Sequence, residues 1–397
     1  MSFQVSNAEY PAYFRMPTKV VAYEGAIHSL GPELAHAGAR RVMIITDSGL
    51  AESAVLGQAV NSLVSSGLDY FTRVVDEPDP TIRTMDAVAA EGVQGGFDAV
   101  VGVGGGSSLD IAKGVALIMG GVGSIGAVVG VDKAAPRVAV LAAVPTTIGT
   151  GSEVSWHISV RDDERQLKLT VRSPNACPDI AILDPIAVST LPTRIAAITA
   201  ADAFTHCFES FVSNNGRWLL TDALAGGAIH AMCSNLPAYL KDPTDAIAAQ
   251  EVLAASCLGG MTLSHARTGI VHQMARPLGA QCGVPHGLAN AILLPRVIES
   301  TWERTKERLA ELYRHLVPLE RAELGSEATM SERAERTKDL IVSFFACLPI
   351  PATLTEAGVH AVPIEALTED ALQGKVAVTN PCAVSREELS EIYAACI

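Results

Sequence analysis

Asp98-Ala-Val-Val-Gly-Val-Gly-Gly-Gly-Ser107 decides the fold, because it joins a short aliphatic run to a cluster of glycines. The run Asp98–Val103 is typical of a parallel strand that is buried on both faces. The glycines precede a predicted helix, Ser108–Met119, whose N-terminal N–H groups favour a phosphate. The pattern therefore predicts a pyrophosphate site. Because Ser107 stands where the usual Gly-x-Gly-x-x-Gly motif ends in glycine, a plain turn is the alternative.

Two further predicted strands, Val42–Thr46 and Val138–Val144, are also followed by polar loops. Asp47 follows the first strand, where a carboxylate either binds a ribose hydroxyl and repels a 2′-phosphate, or caps a helix near Ser48. The loop Pro145–Ser152 follows the other strand and is rich in hydroxyl groups. Loops at the carboxyl ends of neighbouring parallel strands form the usual ligand crevice, so we expect these loops to bind a dinucleotide.

The character of the chain changes at Pro192, after which strand-like runs give way to Ala/Leu-rich helical periodicity. Ile195–Val212 and Leu219–Leu240 are the clearest predicted helices. The sequence therefore predicts an α/β domain over residues 1–191 and an all-helical domain over residues 192–397.

Composition excludes several classes of protein. The 397 residues carry a formal net charge of −14, which argues against nucleic acid, because a binder needs a basic face. The eight cysteines form no Cys-x-x-Cys pair, so neither a disulfide framework nor a zinc ribbon is indicated. The longest apolar candidate that we identify, Gly114–Val131, is interrupted by glycines, so no membrane span is expected. Met1–Val5 lacks the features of an export signal, so we expect the cytoplasm.

A candidate metal site begins with Asp202-Ala-Phe-Thr-His206. On a helix, side chains four residues apart share one face and can reach a common ion, although such a pair is often only a local hydrogen-bonded pair. His272 and His286 are two further imidazoles that the fold would have to bring in. One carboxylate and three imidazoles suit a divalent metal and leave a coordination position open.

The chain resembles the iron-dependent, group III alcohol dehydrogenase family over nearly its whole length. Four motifs carry the resemblance in the expected order: Gly104-Gly-Gly-Ser-Ser-Leu-Asp110, Pro145-Thr-Thr-Ile-Gly-Thr150, Asp202-Ala-Phe-Thr-His206 and Val284-Pro-His-Gly-Leu-Ala-Asn-Ala-Ile-Leu-Leu-Pro295. The resemblance implies an N-terminal Rossmann-like dinucleotide-binding domain and a C-terminal helical metal-binding domain, as in dehydroquinate synthase.

The resemblance also implies the functional residues. The metal, commonly Fe²⁺ and possible as Zn²⁺, would be held by Asp202, His206, His272 and His286. The cofactor NAD(H) would be contacted by Asp47, Gly104, Gly105, Ser107, Asp110, Thr146, Thr147, Thr150 and Lys168. The substrate would be a small aldehyde or alcohol, and the enzyme would be a homodimer or larger homo-oligomer.

The chain departs from the family at Arg276, four residues after His272. The family often has there a second histidine that is thought to relay the proton, and an arginine does not exchange protons near neutral pH. His157 is the nearest candidate to replace that histidine. The alternative is that His157 is only a half-buried strand residue.

A guanidinium beside a metal site of net charge near +1 is unfavourable unless an anion lies between them. Arg276, with Arg267 as a second candidate, would then bind the phosphonate, sulfonate or carboxylate of a small aldehyde. Relatives that reduce phosphonoacetaldehyde, sulfoacetaldehyde or succinic semialdehyde would fit this hypothesis. The alternative is that Arg276 pairs with a nearby carboxylate and only supports its helix.

Three other functions stay open on the sequence: a dehydrogenase of simple uncharged alcohols, a non-redox lyase or cyclase that resembles dehydroquinate synthase, and a non-catalytic binding protein. The closer resemblance to the dehydrogenases makes an NAD-dependent, metal-containing alcohol dehydrogenase the leading interpretation.

Overall fold

The computed structural model describes residues 14–165, 167–316, 327–373 and 379–397. The expectation about export depends on Met1–Val5, which lies outside these residues. The contacts divide the chain into two compact units. The sheet unit comprises Arg15–Leu191 with Pro243–Gly260, and the helical unit includes Pro192–Asp242 with Met261–Ile397.

A six-stranded sheet forms the centre of the sheet unit, and every neighbouring pair in it is parallel. Its order is β1-β9-β6-β4-β2-β3. The bounds are β1 Lys19–Ala22, β2 Arg41–Thr46, β3 Asp69–Val74, β4 Ala99–Gly104, β6 Val140–Pro145 and β9 Ile180–Leu183. A second sheet joins β5 Gly130–Val131, β8 Leu167–Arg172 and β7 His157–Asp162 in that order.

The helices of the sheet unit cover both faces of the large sheet, because alternate strand residues point to opposite sides. Val42 and Ile44 of β2 pack in one apolar cluster with side chains of α1 and α2. Met43 and Ile45 pack in the other cluster with side chains of α3 and α4. The helix bounds are α1 Leu30–His36, α2 Ala54–Ser65, α3 Ile82–Gly95 and α4 Gly106–Leu117.

The helical unit contains no strand among its described residues. Its helices are α5 Thr193–Val212, α6 Leu219–Lys241, α8 Ile270–Cys282, α9 His286–Thr301, α10 Lys306–Leu316, α11 Met330–Ala346, α12 Ile364–Leu372 and α13 Arg386–Ala395. α7, Ala246–Ala266, contributes residues to both units. The predicted class, α/β followed by all-α, is therefore confirmed.

The three predicted strands are present as β2, β4 and β6, each shifted by two residues or fewer. The predicted helix Ser108–Met119 begins earlier, at Gly106, because the small residues of the glycine loop already take up helical backbone. By length and composition α7 is apolar enough to cross a membrane, and it is a longer candidate than Gly114–Val131. Over half of its apolar window is buried, as in the core helix of a soluble protein.

Candidate active site

One carboxylate oxygen in the helical unit lies close to three imidazole nitrogens. Asp202 Oδ1 is 3.8 Å from His206 Nε2, 3.6 Å from His272 Nε2 and 3.7 Å from His286 Nε2. Ligands bound tetrahedrally at 2.0–2.2 Å from a metal are about 3.4 Å apart, so these separations approach those of a metal site. Asp202, His206 and His272 are at most 6% exposed, whereas the His286 side chain is 45% exposed. Three of the four residues are therefore buried, and the cluster is accessible to solvent at His286.

Three helices bring these side chains together. Asp202 and His206 stand one turn apart on α5, His272 lies in the first turn of α8, and His286 begins α9. Gly287 lets α9 approach α5 closely, since a Cβ there would lie 2.6 Å from the carbonyl oxygen of Ile198. A larger residue at this position would push His286 away from Asp202.

The donor set fits a divalent cation. Asn290 Nδ2 lies 2.6 Å from Asp202 Oδ1, 3.2 Å from His272 Nε2 and 3.3 Å from His286 Nε2. One amide group offers two N–H donors, so these acceptors still favour a cation or protons among them. Burial raises the pKa of Asp202, but the neighbouring histidines outweigh it and hold that pKa well below its usual value. Imidazole and carboxylate ligands suit Fe²⁺ or Zn²⁺. Asp202, His206 and His272 each offer a ligand atom within 4.8 Å of the other two, so these three side chains are able to hold such an ion. His286 Nε2 lies near Asp202 but outside this group, so its role as the fourth ligand stays a prediction.

Glu209 and Asn290, which were not predicted as site residues, contact this cluster. Glu209 Oε2 is 2.6 Å from His272 Nδ1, and the carboxylate is almost fully buried. Asn290 Nδ2 donates to Asp202 Oδ1 at 2.6 Å. A helical spacing signal was available for both, because Glu209 lies seven residues after Asp202 and Asn290 lies four after His286.

Protons and metal compete for His272, which makes metal binding depend on pH. Burial lowers the pKa of His272, but Glu209 and Asp202 together raise it to about 9. Metal must displace this proton, so we expect the apparent metal affinity to rise about tenfold per pH unit between pH 7 and pH 8.5. The stability of the metal-free enzyme changes with pH in the opposite direction, because the proton on His272 stabilises the folded state. This contribution to the free energy of unfolding is complete below about pH 6.5 and is lost as the pH rises through about 9.

Chelator competition with Zn²⁺, and with Fe²⁺ under anaerobic conditions, would measure this dependence. Calorimetry in buffers of different ionisation enthalpy would count the released protons. An affinity that stays flat over this range, with no proton released, would contradict the prediction.

The sheet unit has a crevice at the reversal of its strand order. β2 leads through α2 to β3 on one side, while β4 leads through α4 to β6 on the other, and α2 and α4 cover opposite faces of the sheet. Ligands of such sheets bind beyond the carboxyl ends of the two strands that diverge. Asp47 follows β2 there, and Gly104 ends β4.

Asp47 faces the glycine loop. Its Oδ2 is 3.4 Å from Ser108 Oγ and would be 3.4 Å from a Cβ on Gly104. The alternative role as a helix cap is wrong, because α2 begins at Ala54 and its N-cap is Ser53.

The hydroxyl-rich loop after β6 packs against the glycine loop. Thr146 N donates to the Gly104 carbonyl at 3.0 Å. A Cβ on Gly105 would lie 3.3 Å from Thr147 Cγ2, and one on Gly106 would lie 2.7 Å from Thr150 Cγ2. The absence of side chains on these glycines therefore allows the two loops to approach each other and leaves backbone N–H groups accessible at the start of α4.

The other predicted dinucleotide residues have protein partners. The Asp110 carboxylate accepts from Ser152 Oγ and from Ser159 N, and it lies 3.4 Å from Lys113 Nζ. The Ser107 hydroxyl donates to the Pro78 carbonyl. Lys168 pairs with Asp79 at 2.6 Å on the surface. Asp110 therefore joins α4 to the Ser152 loop and to β7.

Arg276 lies on the same face of α8 as His272, four residues further on. It is exposed, and it makes neither a hydrogen bond nor an ion pair with any part of the chain that the structure describes. The ion-paired alternative is therefore not found there. Although Arg276 is accessible to solvent, the protein around it desolvates its guanidinium in part and lowers the pKa of Arg276, while the charge of Glu209 raises that pKa. Glu209 thus supplies, without contact, part of the negative charge that was expected from the substrate.

His157 and Arg267 occupy different settings. His157 is half-buried at the start of β7, as the strand alternative expects, and its carbonyl accepts from Lys113 Nζ. Its role in proton transfer stays a prediction. Arg267 is exposed between α7 and α8 with φ 65°, a backbone conformation that is uncommon for residues with a side chain.

The iron-containing alcohol dehydrogenase family matches residues 17–185, and the C-terminal part of the Fe-containing alcohol dehydrogenase family matches residues 196–397. Alcohol dehydrogenase 4 of Saccharomyces cerevisiae (strain YJM789) is 31% identical over 371 residues, which cover 93% of this chain and 94% of that protein. Lactaldehyde reductase of Escherichia coli (strain K12) is 30% identical over 375 residues, covering 93% and 95%.

A solved structure of a 1,3-propanediol oxidoreductase has the same fold, with a TM-score of 0.92 and 27% identity over 97% of this chain and 100% of that one. These matches define an NAD-dependent, metal-containing oxidoreductase, and the sheet crevice and the buried cluster of Asp202, His206 and His272 agree with them. The chain belongs to the iron-containing alcohol dehydrogenase family. This membership decides against the non-redox lyase and against the non-catalytic binding protein.

Proposed function

We propose that this alcohol dehydrogenase reduces a small aldehyde that carries a phosphonate, sulfonate or carboxylate group, with NADH as the reductant. The observation that supports the substrate charge is Arg276, an exposed guanidinium on the face of the metal-ligand helix without a carboxylate in contact among the described residues. A guanidinium binds such anions through paired, charge-assisted hydrogen bonds.

In this proposal Asp202, His206, His272 and His286 hold the metal through one carboxylate oxygen and three imidazole nitrogens. When bound, a divalent ion polarises the carbonyl, and the nicotinamide supplies the hydride. Asp202 contributes the negative charge of the ligand set, and His286 stands on the exposed side, where substrate would enter.

The proposed dinucleotide contacts are Asp47, Gly104, Gly105, Ser107, Asp110, Thr146, Thr147, Thr150 and Lys168. Asp47 would accept hydrogen bonds from the ribose and disfavour a 2′-phosphate, which supports NAD over NADP. Asp110 would act by holding the Ser152 loop and β7 against α4. Proton transfer would use His157 or water, because Arg276 does not donate a proton near neutral pH.

Uncharged short-chain aldehydes are the second candidate substrates. The negative charge of Glu209 offsets part of the positive charge of Arg276, so an anionic substrate is not required for electrostatic balance. Two of the similar proteins are also named for uncharged compounds, lactaldehyde and 1,3-propanediol.

Arg276→Ala separates the two candidates. If Arg276 binds the anionic group, kcat/KM for sulfoacetaldehyde or phosphonoacetaldehyde falls about a hundredfold, because a hydrogen bond to a charged group contributes about 1.5–3 kcal/mol. The kcat/KM for propanal changes little. The measurement is NADH oxidation with each aldehyde in metal-loaded enzyme.

Arg296→Ala, which removes an arginine paired with Glu299 on α9, is the matched control and should leave both activities unchanged. Equal efficiency of the wild-type enzyme with propanal and with the anionic aldehydes would sink the proposal of an anionic substrate. So would an anionic preference that survives in Arg276→Ala.

We further propose a domain division at residues 1–191 and 192–397, a homodimeric or larger assembly, and the cytoplasm as the compartment. Reduced cysteines support the compartment, because all eight are free, and thiols persist where the cell keeps them reduced. The assembly is supported by the family resemblance alone.

A further inference from the structure

A buried carboxylate lies behind the proposed metal ligands. Glu209 is on α5, three residues after His206, and is 3% exposed. Its Oε2 is 2.6 Å from His272 Nδ1, and its Oε1 accepts from Val271 N at 2.6 Å. Burying a carboxylate is costly unless its oxygens accept good hydrogen bonds, so this arrangement depends on both contacts.

The contact with His272 selects one form of the imidazole. A carboxylate that accepts from Nδ1 fixes the N–H on that nitrogen and leaves Nε2 to act as a ligand. His272 Nε2 is the atom that faces Asp202 Oδ1 at 3.6 Å. Glu209 therefore controls the protonation and the orientation of the ring from the side opposite the metal.

The contact with Val271 fixes the helix that carries His272. Val271 N lies in the first turn of α8, where the N–H groups have no partner within the helix. The carboxylate accepts from it and also favours the positive end of the helix dipole. One side chain of α5 thus sets both the ring and the backbone of His272 relative to Asp202 and His206.

The chain keeps space for this carboxylate at Gly269. A Cβ there would lie 2.8 Å from Glu209 Oε1 and 3.4 Å from Asn380 Oδ1. The φ of Gly269 is −116°, so space is what excludes a side chain rather than left-handed backbone.

We propose that Glu209 is a positioning residue for the metal centre. It orients His272, and its negative charge, together with that of Asp202, balances the two positive charges of a divalent ion. This inference rests on the metal ligands of the proposed function. Glu209 touches no reacting atom in this role. Its effect should appear first in the metal affinity and only secondarily in turnover.

Glu209→Gln tests the proposal with little change in volume. A carboxamide offers one acceptor and one donor where two N–H groups must be accepted, so either His272 or Val271 is left facing a donor. We expect the metal dissociation constant to rise 10- to 100-fold, as for other lost partners of metal-bound histidines. Competition with a chromophoric chelator measures this constant for Zn²⁺, and for Fe²⁺ without oxygen. Glu209→Asp, which keeps the charge, should recover part of the affinity.

Glu299→Gln is the matched control, because Glu299 is an exposed carboxylate on α9 that pairs with Arg296, and its affinity should equal that of the wild type. A Glu209→Gln enzyme that binds one metal per chain within threefold of the wild-type constant overturns the inference. Wild-type protein that binds no metal at this site overturns the proposed ligand set instead, so the two failures are distinguishable.

Gly269→Ala provides a second route if Glu209→Gln does not fold. The added methyl group shifts the Glu209 carboxylate away from its partners without removing its negative charge. We expect at least a tenfold weaker metal affinity. The melting temperature of the metal-free protein serves as the folding measurement. Wild-type affinity in a folded Gly269→Ala protein would count against the positioning role.

Discussion

Asp202→Asn is expected to leave the chain folded but unable to retain metal, and to lower kcat/KM for an aldehyde about a thousandfold or more. Asp202 Oδ1 is the atom that lies within 4 Å of all three ligand imidazoles. The substitution removes the only negative charge among the four proposed ligands. Loss of a metal that polarises a carbonyl removes several kcal/mol of transition-state stabilisation, which corresponds to this change in rate.

Metal content after anaerobic loading, together with NADH oxidation, would measure the effect. Asp339→Asn is the control, because Asp339 is an exposed carboxylate on α11 that pairs only with Lys338 in the described structure. An Asp202→Asn enzyme with one metal per chain and a rate within tenfold of the wild type would exclude Asp202 as a ligand.

Gly151→Ala is expected to destabilise the sheet unit by about 3 kcal/mol or more. Gly151 is buried with φ 59°, where a side chain costs about 1–2 kcal/mol. Its Cβ would also lie 2.3 Å from the Cα of Gly260 in α7, and a backbone atom does not move aside easily. Because Gly151 follows Thr150, the NAD⁺ dissociation constant should rise as well.

Urea unfolding and NAD⁺ titration would measure these two changes. Gly57→Ala is the matched control, since Gly57 is exposed in α2 and a Cβ there meets no atom within 4 Å. That substitution should stabilise the protein by about 0.5–1 kcal/mol through helix propensity. Equal stability of Gly151→Ala and the wild type would show that the loop relaxes freely.

The sequence predicted β2, β4 and β6 of the large sheet, which are buried on both faces, but it missed β9, which is equally buried and lies between β1 and β6. Val42–Thr46 and Asp98–Val103 are continuous aliphatic runs, and such runs keep their character whatever packs on them. β3 was not predicted, because it lies at the edge of the sheet, and its adjacent Tyr70 and Phe71 are both exposed and flanked by polar residues. Edge strands carry a weaker apolar signal than central strands.

The metal site could be predicted only in part. The spacing of Asp202 and His206 indicates a shared helix face, but the approach of His272 and His286 depends on how α5, α8 and α9 pack, which no local pattern contains. Glu209 was missed for a related reason. Its spacing places it on the same face of α5 as Asp202 and His206, but no local pattern shows that its partner is His272.

All the proposed metal ligands, with Glu209 and Asn290, lie on three helices of a single compact unit. Loading of the ion therefore need not wait for the arrival of a nucleotide. An ion held by these residues would stay in place while oxidised coenzyme leaves and reduced coenzyme returns during aldehyde reduction.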